Sequence, residues 1–236
     1  MARTEHLMNI PFITFGDSGL PLHFYHANGY PPQAYTPLLK NLGTHYRVHA
    51  MEARPLWPGA SHAVLTDWRP LAGDLLEFLQ WQCGNQAVIG VGHSVGANAT
   101  LRAALYQPER FRALVLLDPV LFPPWVSVLW NLVYMARLGY RVHPLARGAM
   151  RRRRTFESRE AMFDNYRRKA VFQGMDDQAL WAYVDSLAEP DNRNGGVRLR
   201  YSPEWDARIY VTSVRADLEI WRGLSSLRLP ILVIRG

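Results

Sequence analysis

Residues 86–106 read QAVIGVGHSVGANATLRAALY. A short apolar run rich in β-branched residues precedes Gly92-His-Ser-Val-Gly96, and good helix formers follow it. This order predicts a strand, a sharp turn and a helix, with Ser94 at the turn. The two glycines allow the backbone to turn tightly, so that the Ser94 hydroxyl is exposed at the end of the strand. The pattern predicts a serine nucleophile.

Further strands and helices are predicted to alternate on both sides of this stretch. The predicted strands cover residues 9–15, 22–26, 46–51 and 111–117, and the predicted helices cover residues 35–42 and 67–81. The first two strands are expected to form a hairpin around the turn at 16–19. Strand 111–117 is almost wholly apolar, which is typical of the centre of a parallel sheet. The alternation predicts an α/β fold with a mostly parallel sheet flanked by helices.

The alternation stops at Pro119 and resumes with a buried-strand pattern at 229–235. The residues between them predict amphipathic helices at 158–172 and 177–187 and a short strand at 197–201. We therefore expect a core formed by residues 1–118 and 227–236. Residues 119–226 are expected to form a mainly helical cap, or lid, over the site.

The net charge of +7 belongs to one part of the chain. Ten arginines and three acidic residues lie between residues 137 and 168, and the rest of the chain is neutral. No nucleic-acid reading module accompanies this basic segment, so no nucleic-acid partner is predicted. The N-terminus lacks the apolar core of a signal peptide, and the apolar window 124–136 is too short to span a bilayer. We expect a cytoplasmic protein without a transmembrane segment; peripheral contact of the basic cap with an anionic membrane remains an alternative.

Together with the segment His26-Ala-Asn-Gly-Tyr-Pro31, these features resemble the α/β-hydrolase fold superfamily, in its cap-bearing, esterase-like branch. The resemblance covers most of the chain. It implies that the backbone N–H groups of Asn28 and Val95 form an oxyanion hole, although Ala27 stands where the family usually has glycine. His26 and His93 are expected to order these loops through hydrogen bonds rather than to act as the base.

The resemblance also implies a catalytic histidine and an acid on loops near the end of the chain. No histidine follows His143, and the sequence stops at Gly236. The expectation is a fragment that lacks the last strand and helices and the catalytic histidine, with little or no turnover. Asp118, at the end of strand 111–117, is the candidate acid in this chain. The alternative is that the catalytic acid lies on a loop later in the chain, in which case Asp118 only orders the turn before the cap.

Substrate contacts are predicted for Tyr30 and His93 and for Trp125, which belongs to a cap rich in aromatic residues. An aromatic pocket favours a small apolar acyl or ester substrate, and the serine favours ester, thioester or amide chemistry. No cofactor or metal site is predicted, because no phosphate loop, dinucleotide fingerprint or metal-ligand spacing occurs. The leading hypothesis is a cofactor-free serine hydrolase. The alternative is a non-catalytic relative that acts as a binding module.

Overall fold

A computed structural model describes residues 10–236 and contains two sheets. Its strands are β1 (Phe12–Phe15), β2 (Leu20–Tyr25), β3 (Tyr46–Met51), β4 (Val88–His93), β5 (Phe111–Leu117), β6 (Thr155–Phe156), β7 (Ala188–Pro190), β8 (Val197–Leu199) and β9 (Ile231–Ile234). The large sheet has the order β1-β3-β2-β4-β5-β9 and is parallel except for β1. Strands β6, β8 and β7 form a small antiparallel sheet. The predicted α/β fold with a mostly parallel sheet is confirmed.

Helices cover the large sheet and fill the segment between β5 and β9. They are α1 (Thr36–Leu42), α2 (Arg69–Cys83), α3 (Val95–Tyr106), α4 (Pro124–Met135), α5 (Gly139–Val142), α6 (Pro144–Met150), α7 (Arg159–Arg167), α8 (Ala170–Gln173), α9 (Asp177–Leu187), α10 (Pro203–Thr212) and α11 (Asp217–Gly223). The single helix predicted at 158–172 is two helices, because Lys169 adopts an extended conformation between them. Within residues 10–236, no helix has the length and apolar character needed to cross a bilayer.

The predicted hairpin between the first two strands is wrong. Strand β3 lies between β1 and β2 and pairs with both. The connecting loop contains Gly16 and Gly19, both with positive φ, and it passes directly over the turn that leads into β3. A Cβ atom on Gly16 would lie 2.2 Å from the carbonyl oxygen of Gly43, and one on Gly19 would lie 2.3 Å from that of His45. The loop therefore carries the chain across the start of β3 instead of closing β1 onto β2.

Side chains on β2 alternate between the two faces of the sheet, as the period of a strand requires. Leu22 and Phe24 belong to the apolar cluster that includes Leu39 of α1, whereas Tyr25 belongs to the larger cluster built around α2 and α3. Both faces are thus covered, which explains why the central strands are largely apolar.

Residues 119–226, called here the inserted segment, join β5 to β9. Within this segment, α9 lies against residues 32–35, and α11 lies against both α4 and α3. The contact with α3 includes a hydrogen-bonded ion pair between Arg102 and Asp217, whose side chains are 0% and 1% exposed. The expected division into a core and a cap remains a prediction, with α11 held to a helix of the core.

His23, on β2, is expected to make the protein less stable in acid. Its ring is fully buried against Tyr25 and Phe78, and neither ring nitrogen has a hydrogen-bond partner in the described part of the chain. Burial lowers the pKa of His23 to about 3. The unfolded chain takes up a proton below about pH 6.5 while the folded protein does not, so stability falls as the pH falls through that window. Between about pH 7 and pH 5 this single group lowers the free energy of unfolding by about 2 kcal/mol.

Urea unfolding at these two pH values tests this effect. Between pH 7 and pH 5, the free energy of unfolding of His23→Phe should fall by about 2 kcal/mol less than that of the parent. His45→Gln, at an exposed histidine, is the matched control and should keep the parent's fall. An undiminished fall in His23→Phe would show that this ring does not carry the effect.

Candidate active site

Ser94 lies at the junction of β4 and α3, in the strand–turn–helix that the sequence predicts. Its backbone has φ 55° and ψ −117°, a combination that L-residues rarely adopt and that costs roughly 1–3 kcal/mol. Its N–H donates to the carbonyl oxygen of Leu117 at 2.9 Å, which ties the turn to the end of β5. A Cβ atom on Gly92 would lie 2.5 Å from the carbonyl oxygen of Gly96, so the turn needs a glycine there. The Ser94 residue is half-buried.

The first turn of α3 lies directly against the end of β2. A Cβ atom on Gly96 would be 2.3 Å from the carbonyl oxygen of Tyr25 and 2.6 Å from that of His26. This close approach brings Val95 beside the segment that follows β2. The backbone N–H groups of Asn28 and Val95 donate to no protein group among residues 10–236.

His26 fixes the segment after β2 through both ring nitrogens. Nδ1 lies 2.8 Å from the carbonyl oxygen of Ala27, and Nε2 accepts a hydrogen bond from the backbone N–H of Ala53 at 2.9 Å. Because Nε2 is an acceptor, the ring is neutral and Nδ1 carries the proton. Burial lowers the pKa of His26 to about 4, so the ring stays neutral near pH 7. This is the loop-ordering role expected of His26.

His93 connects the same segment to β4 through Tyr35. The Tyr35 hydroxyl accepts from the backbone N–H of Ala27 at 3.3 Å and lies 2.7 Å from His93 Nδ1. The Tyr35 hydroxyl and His93 Nδ1 therefore share a hydrogen bond whose donor depends on the tautomer of the His93 ring. Burial lowers the pKa of His93, and the charge of Asp118 opposes this shift. His93 thus orders the turn next to Ser94; its predicted contact with substrate remains a prediction.

The Asn28 side chain is held by two residues of the inserted segment. Its Nδ2 donates to the Asp206 carboxylate at 2.8 Å and to the Asp206 carbonyl oxygen at 3.0 Å. Its Oδ1 accepts from the Tyr201 hydroxyl at 2.7 Å. All three residues are buried. The side chain of Asn28 is therefore locked, and with it the orientation of the loop that carries its N–H group.

Arg152 completes this buried polar network. Its guanidinium contacts the second Asp206 oxygen at 2.6 Å and the hydroxyls of Tyr166 and Tyr183 at 3.0 and 3.2 Å. Burial raises the pKa of Asp206, whereas Arg152 and Asn28 favour its charged form. Sequence reasoning missed Arg152, Tyr201 and Asp206, since Asp206 lies 178 residues from Asn28 and no local motif contains it.

Asp118, the candidate acid, is exposed at the end of β5 and has φ 42°. Its N–H donates to the carbonyl oxygen of Ile234 at 2.7 Å, which joins the ends of β5 and β9. Its carboxylate makes no hydrogen bond to a histidine or to Ser94 among the residues described. The structure places Asp118 near enough to His93 to affect its pKa, and the catalytic role remains a prediction.

Tyr30 and Trp125, both predicted to contact substrate, have different surroundings. The Tyr30 ring is partly buried and packs on Tyr183 and Phe172 of the inserted segment, with ring centroids 4.7 and 6.3 Å away. Burial raises the pKa of the Tyr30 hydroxyl. Trp125 lies on α4 and is 64% exposed. Tyr30 thus follows directly on the Asn28 loop, while Trp125 lies on an open surface.

No hydrogen bond joins Ser94 to a histidine in the described part of the chain. The His26 ring is hydrogen-bonded to the backbone of Ala27 and Ala53, and the His93 ring is hydrogen-bonded to the Tyr35 hydroxyl. His143 accepts from the backbone N–H of Ala146 at the start of α6 and stacks on Tyr210 at 5.6 Å. The three histidines considered in the sequence therefore make contacts that order loops and helix ends.

Comparisons with known proteins agree on one fold. The sequence model of the alpha/beta hydrolase family matches residues 19–230. The structure is similar to E-2-(acetamidomethylene)succinate hydrolase, with a TM-score of 0.71 and 20% identity over 96% of this chain and 87% of that chain. It is also similar to an M. tuberculosis esterase, with a TM-score of 0.67 and 21% identity over 95% of this chain and 70% of that one.

A third similar structure is the enol-lactonase from Burkholderia xenovorans, with a TM-score of 0.62 and 16% identity over 96% of this chain and 77% of that one. At these identities the likeness is one of fold. None of the curated proteins compared with the sequence matches it significantly.

Proposed function

The chain belongs to the alpha/beta hydrolase family, and we propose that it hydrolyses carboxylic esters or related acyl compounds through a covalent intermediate on Ser94. One observation carries the proposal. Ser94 has a strained backbone at the junction of β4 and α3, and the N–H groups of Val95 and of Asn28, in the segment after β2, donate to no protein group in the described structure. Such strain persists only where the surrounding structure enforces it, and it clusters at active sites.

In the proposed reaction the Ser94 oxygen attacks the acyl carbon and loses its proton to a base. The negative charge that forms on the acyl oxygen is bound by the N–H groups of Asn28 and Val95. Removing one such donor from a hydrolase costs roughly 3–4 kcal/mol of transition-state stabilisation. The alcohol then leaves with a proton, and water hydrolyses the acyl-serine to regenerate the Ser94 hydroxyl and release the acid.

We assign the base to none of the three histidines described above. His26 Nε2 is occupied by the Ala53 N–H, His93 Nδ1 by the Tyr35 hydroxyl and His143 Nδ1 by the Ala146 N–H. A serine without a base is a weak nucleophile, so these residues alone are expected to turn over slowly. Asp118 is the proposed acid, because it follows β5 directly and lies close enough to His93 for its charge to favour the protonated ring.

The proposed substrate is apolar on its acyl side. Tyr30 follows the Asn28 loop and packs against an aromatic group of the inserted segment that includes Phe172 and Tyr183. We propose that the inserted segment acts as a cap and supplies this wall of the site. Among the similar structures, one is named an esterase and one an enol-lactonase, and both names denote acyl–oxygen chemistry.

Covalent labelling by a fluorophosphonate tests the role of Ser94. We expect the parent protein to be labelled slowly and Ser94→Ala not to be labelled above background, because the nucleophilic oxygen is gone. Ser61→Ala, at a serine in the loop before α2, is the matched control and should be labelled like the parent. Mass spectrometry of the labelled peptide should place the adduct on Ser94. Labelling that persists in Ser94→Ala would contradict the assignment.

Added imidazole separates a hydrolase whose described histidines do not act as the base from a binding module. Imidazole in solution can take the Ser94 proton, so we expect it to accelerate labelling of the parent and of Ser61→Ala but not of Ser94→Ala. Hydrolysis of a nitrophenyl ester should respond in the same way. A folded parent that is unlabelled with and without imidazole would instead favour the non-catalytic alternative.

A further inference from the structure

Helix α4 packs partly buried aromatic residues such as Trp130 and Tyr134 inward, and it also exposes a second apolar side. Its buried side carries Ser127, which is fully buried, and Asn131, whose amide donates to the carbonyl oxygens of Ser127 and Arg215 at 2.8 and 3.1 Å. Its outward side, called here the α4 face, is apolar. The α4 face consists of Trp125, Val128, Leu129, Leu132 and Met135, which are 64%, 51%, 53%, 55% and 66% exposed. Their spacing of three or four residues makes one continuous stripe.

A basic pocket of about 350 Å³ adjoins this stripe, and Met135 belongs to both. We call it the arginine pocket, after Arg137, Arg208 and Arg215 in its wall. The Arg215 guanidinium lies 3.7 Å from the centroid of the Tyr134 ring, and Arg208 lies 5.9 Å from it.

None of the three arginines forms an ion pair with a carboxylate among residues 10–236. Arg208 donates to the carbonyl oxygens of Ala63 and Leu65, and Arg215 donates to that of Thr66 and to Asn131. Three guanidinium groups around one pocket without a carboxylate repel one another. An anion that accepts from them would relieve that repulsion, and phosphate oxygens suit guanidinium donors.

The surrounding sequence adds to this charge. Residues 119–156 contain seven arginines and no aspartate or glutamate. Two of the seven are paired with acids elsewhere, Arg152 with Asp206 and Arg154 with Glu204. Arg137, Arg141, Arg147 and Arg151 are exposed and form no ion pair among the described residues. Residues 119–156 therefore carry a net positive charge.

We propose that the α4 face and the arginine pocket bind the surface of a membrane that contains anionic phospholipid. The apolar stripe enters the boundary between headgroups and acyl chains, and the arginine pocket binds a lipid phosphate. An apolar stripe continuous with a phosphate-binding pocket matches the two chemical parts of a phospholipid. A helix that lies in the interface binds by its apolar area and by attraction to anionic headgroups together. This inference is independent of Ser94.

Co-sedimentation with vesicles tests the proposal. We expect the parent protein to bind vesicles of phosphatidylcholine mixed with phosphatidylglycerol, and to bind pure phosphatidylcholine and high-salt samples much more weakly. Leu129→Ser combined with Leu132→Ser should weaken binding by at least about tenfold, through lost apolar area. Arg137→Ala should weaken it by about fivefold on anionic vesicles only. All of these side chains are exposed, so the variants should unfold in urea like the parent.

The matched controls are Val171→Ser, an exposed apolar residue on α8, and Arg193→Ala, an exposed arginine between β7 and β8. Both should bind vesicles like the parent. A parent that does not bind anionic vesicles, or variants that bind as well as it does, would overturn the proposal. Two other occupants of this surface are tested separately: calorimetry with inorganic phosphate detects a free anion, and sedimentation without lipid detects a dimer. If vesicle binding is absent, the membrane proposal is overturned. Phosphate binding that is lost in Arg137→Ala would then identify a free anion as the occupant, and a dimer that is lost in the Leu129→Ser, Leu132→Ser variant would identify a second copy of the chain.

Discussion

Replacing Gly96 with alanine is expected to lower the free energy of unfolding by about 3 kcal/mol, although Gly96 lies in a helix, where alanine is intrinsically favoured. The added Cβ would lie 2.3 Å from the carbonyl oxygen of Tyr25 and 2.6 Å from that of His26. Both atoms belong to the backbone, so neither can move aside as a flexible side chain can. Relief requires α3 to move away from β2, which also moves Val95 away from the Asn28 loop.

Urea unfolding measures the loss of stability, and fluorophosphonate labelling measures the change at Ser94. Gly73→Ala is the matched control, since Gly73 lies within α2 and its Cβ would meet nothing within 4 Å. We expect that control to gain about 0.5–1 kcal/mol and to be labelled like the parent. If Gly96→Ala were as stable as the parent, the close contact between α3 and β2 described here would be incorrect.

Replacing Arg102 with methionine is expected to cost about 3–5 kcal/mol of unfolding free energy. Arg102 donates to Asp217 at 2.9 Å and to Glu219 at 3.1 Å. With the side chains of Arg102 and Asp217 0% and 1% exposed, methionine leaves the Asp217 carboxylate buried without its main partner. Asn98 still donates to that carboxylate at 3.2 Å, but an amide does not neutralise its charge.

Two further variants show whether the lost charge compensation is the cause. Arg102→Met combined with Asp217→Asn removes both charges and should recover part of the loss, because no buried ion remains. Arg154→Met removes a pair whose side chains are 52% and 33% exposed, and it should cost less than about 1 kcal/mol. All are measured by urea unfolding at neutral pH. A double variant less stable than Arg102→Met alone would contradict this explanation.

Much of the fold could be predicted because its signals are local. The exact bounds of β3, β5 and α9 follow from apolar runs and periodicity within each segment. The pairing of β1 could not be predicted in this way. The glycines at 16 and 19 suggest a tight turn between β1 and β2. Their actual role depends on the carbonyl oxygens of Gly43 and His45, which belong to the turn between α1 and β3.

The candidate site also has one part that local sequence predicts and another part that it does not. The sequence predicts the turn at Ser94 because glycine spacing, strand and helix all lie within 21 consecutive residues. The residues that hold Asn28 could not be found, because Tyr201 and Asp206 meet it only through folding of the inserted segment. The exposure of Trp125 also escaped prediction, since an apolar helix face usually points inward.

The network around Asn28 limits how freely this family's parts can be exchanged. A chimera that replaced residues 119–226 with the corresponding segment of another hydrolase would remove Arg152, Tyr201 and Asp206 together. The Asn28 amide would then be buried without acceptors, even though every residue of the recipient scaffold was unchanged. Modularity in this protein is therefore incomplete: a functional graft must carry that triplet at compatible positions, or alter residue 28 to suit its new neighbours.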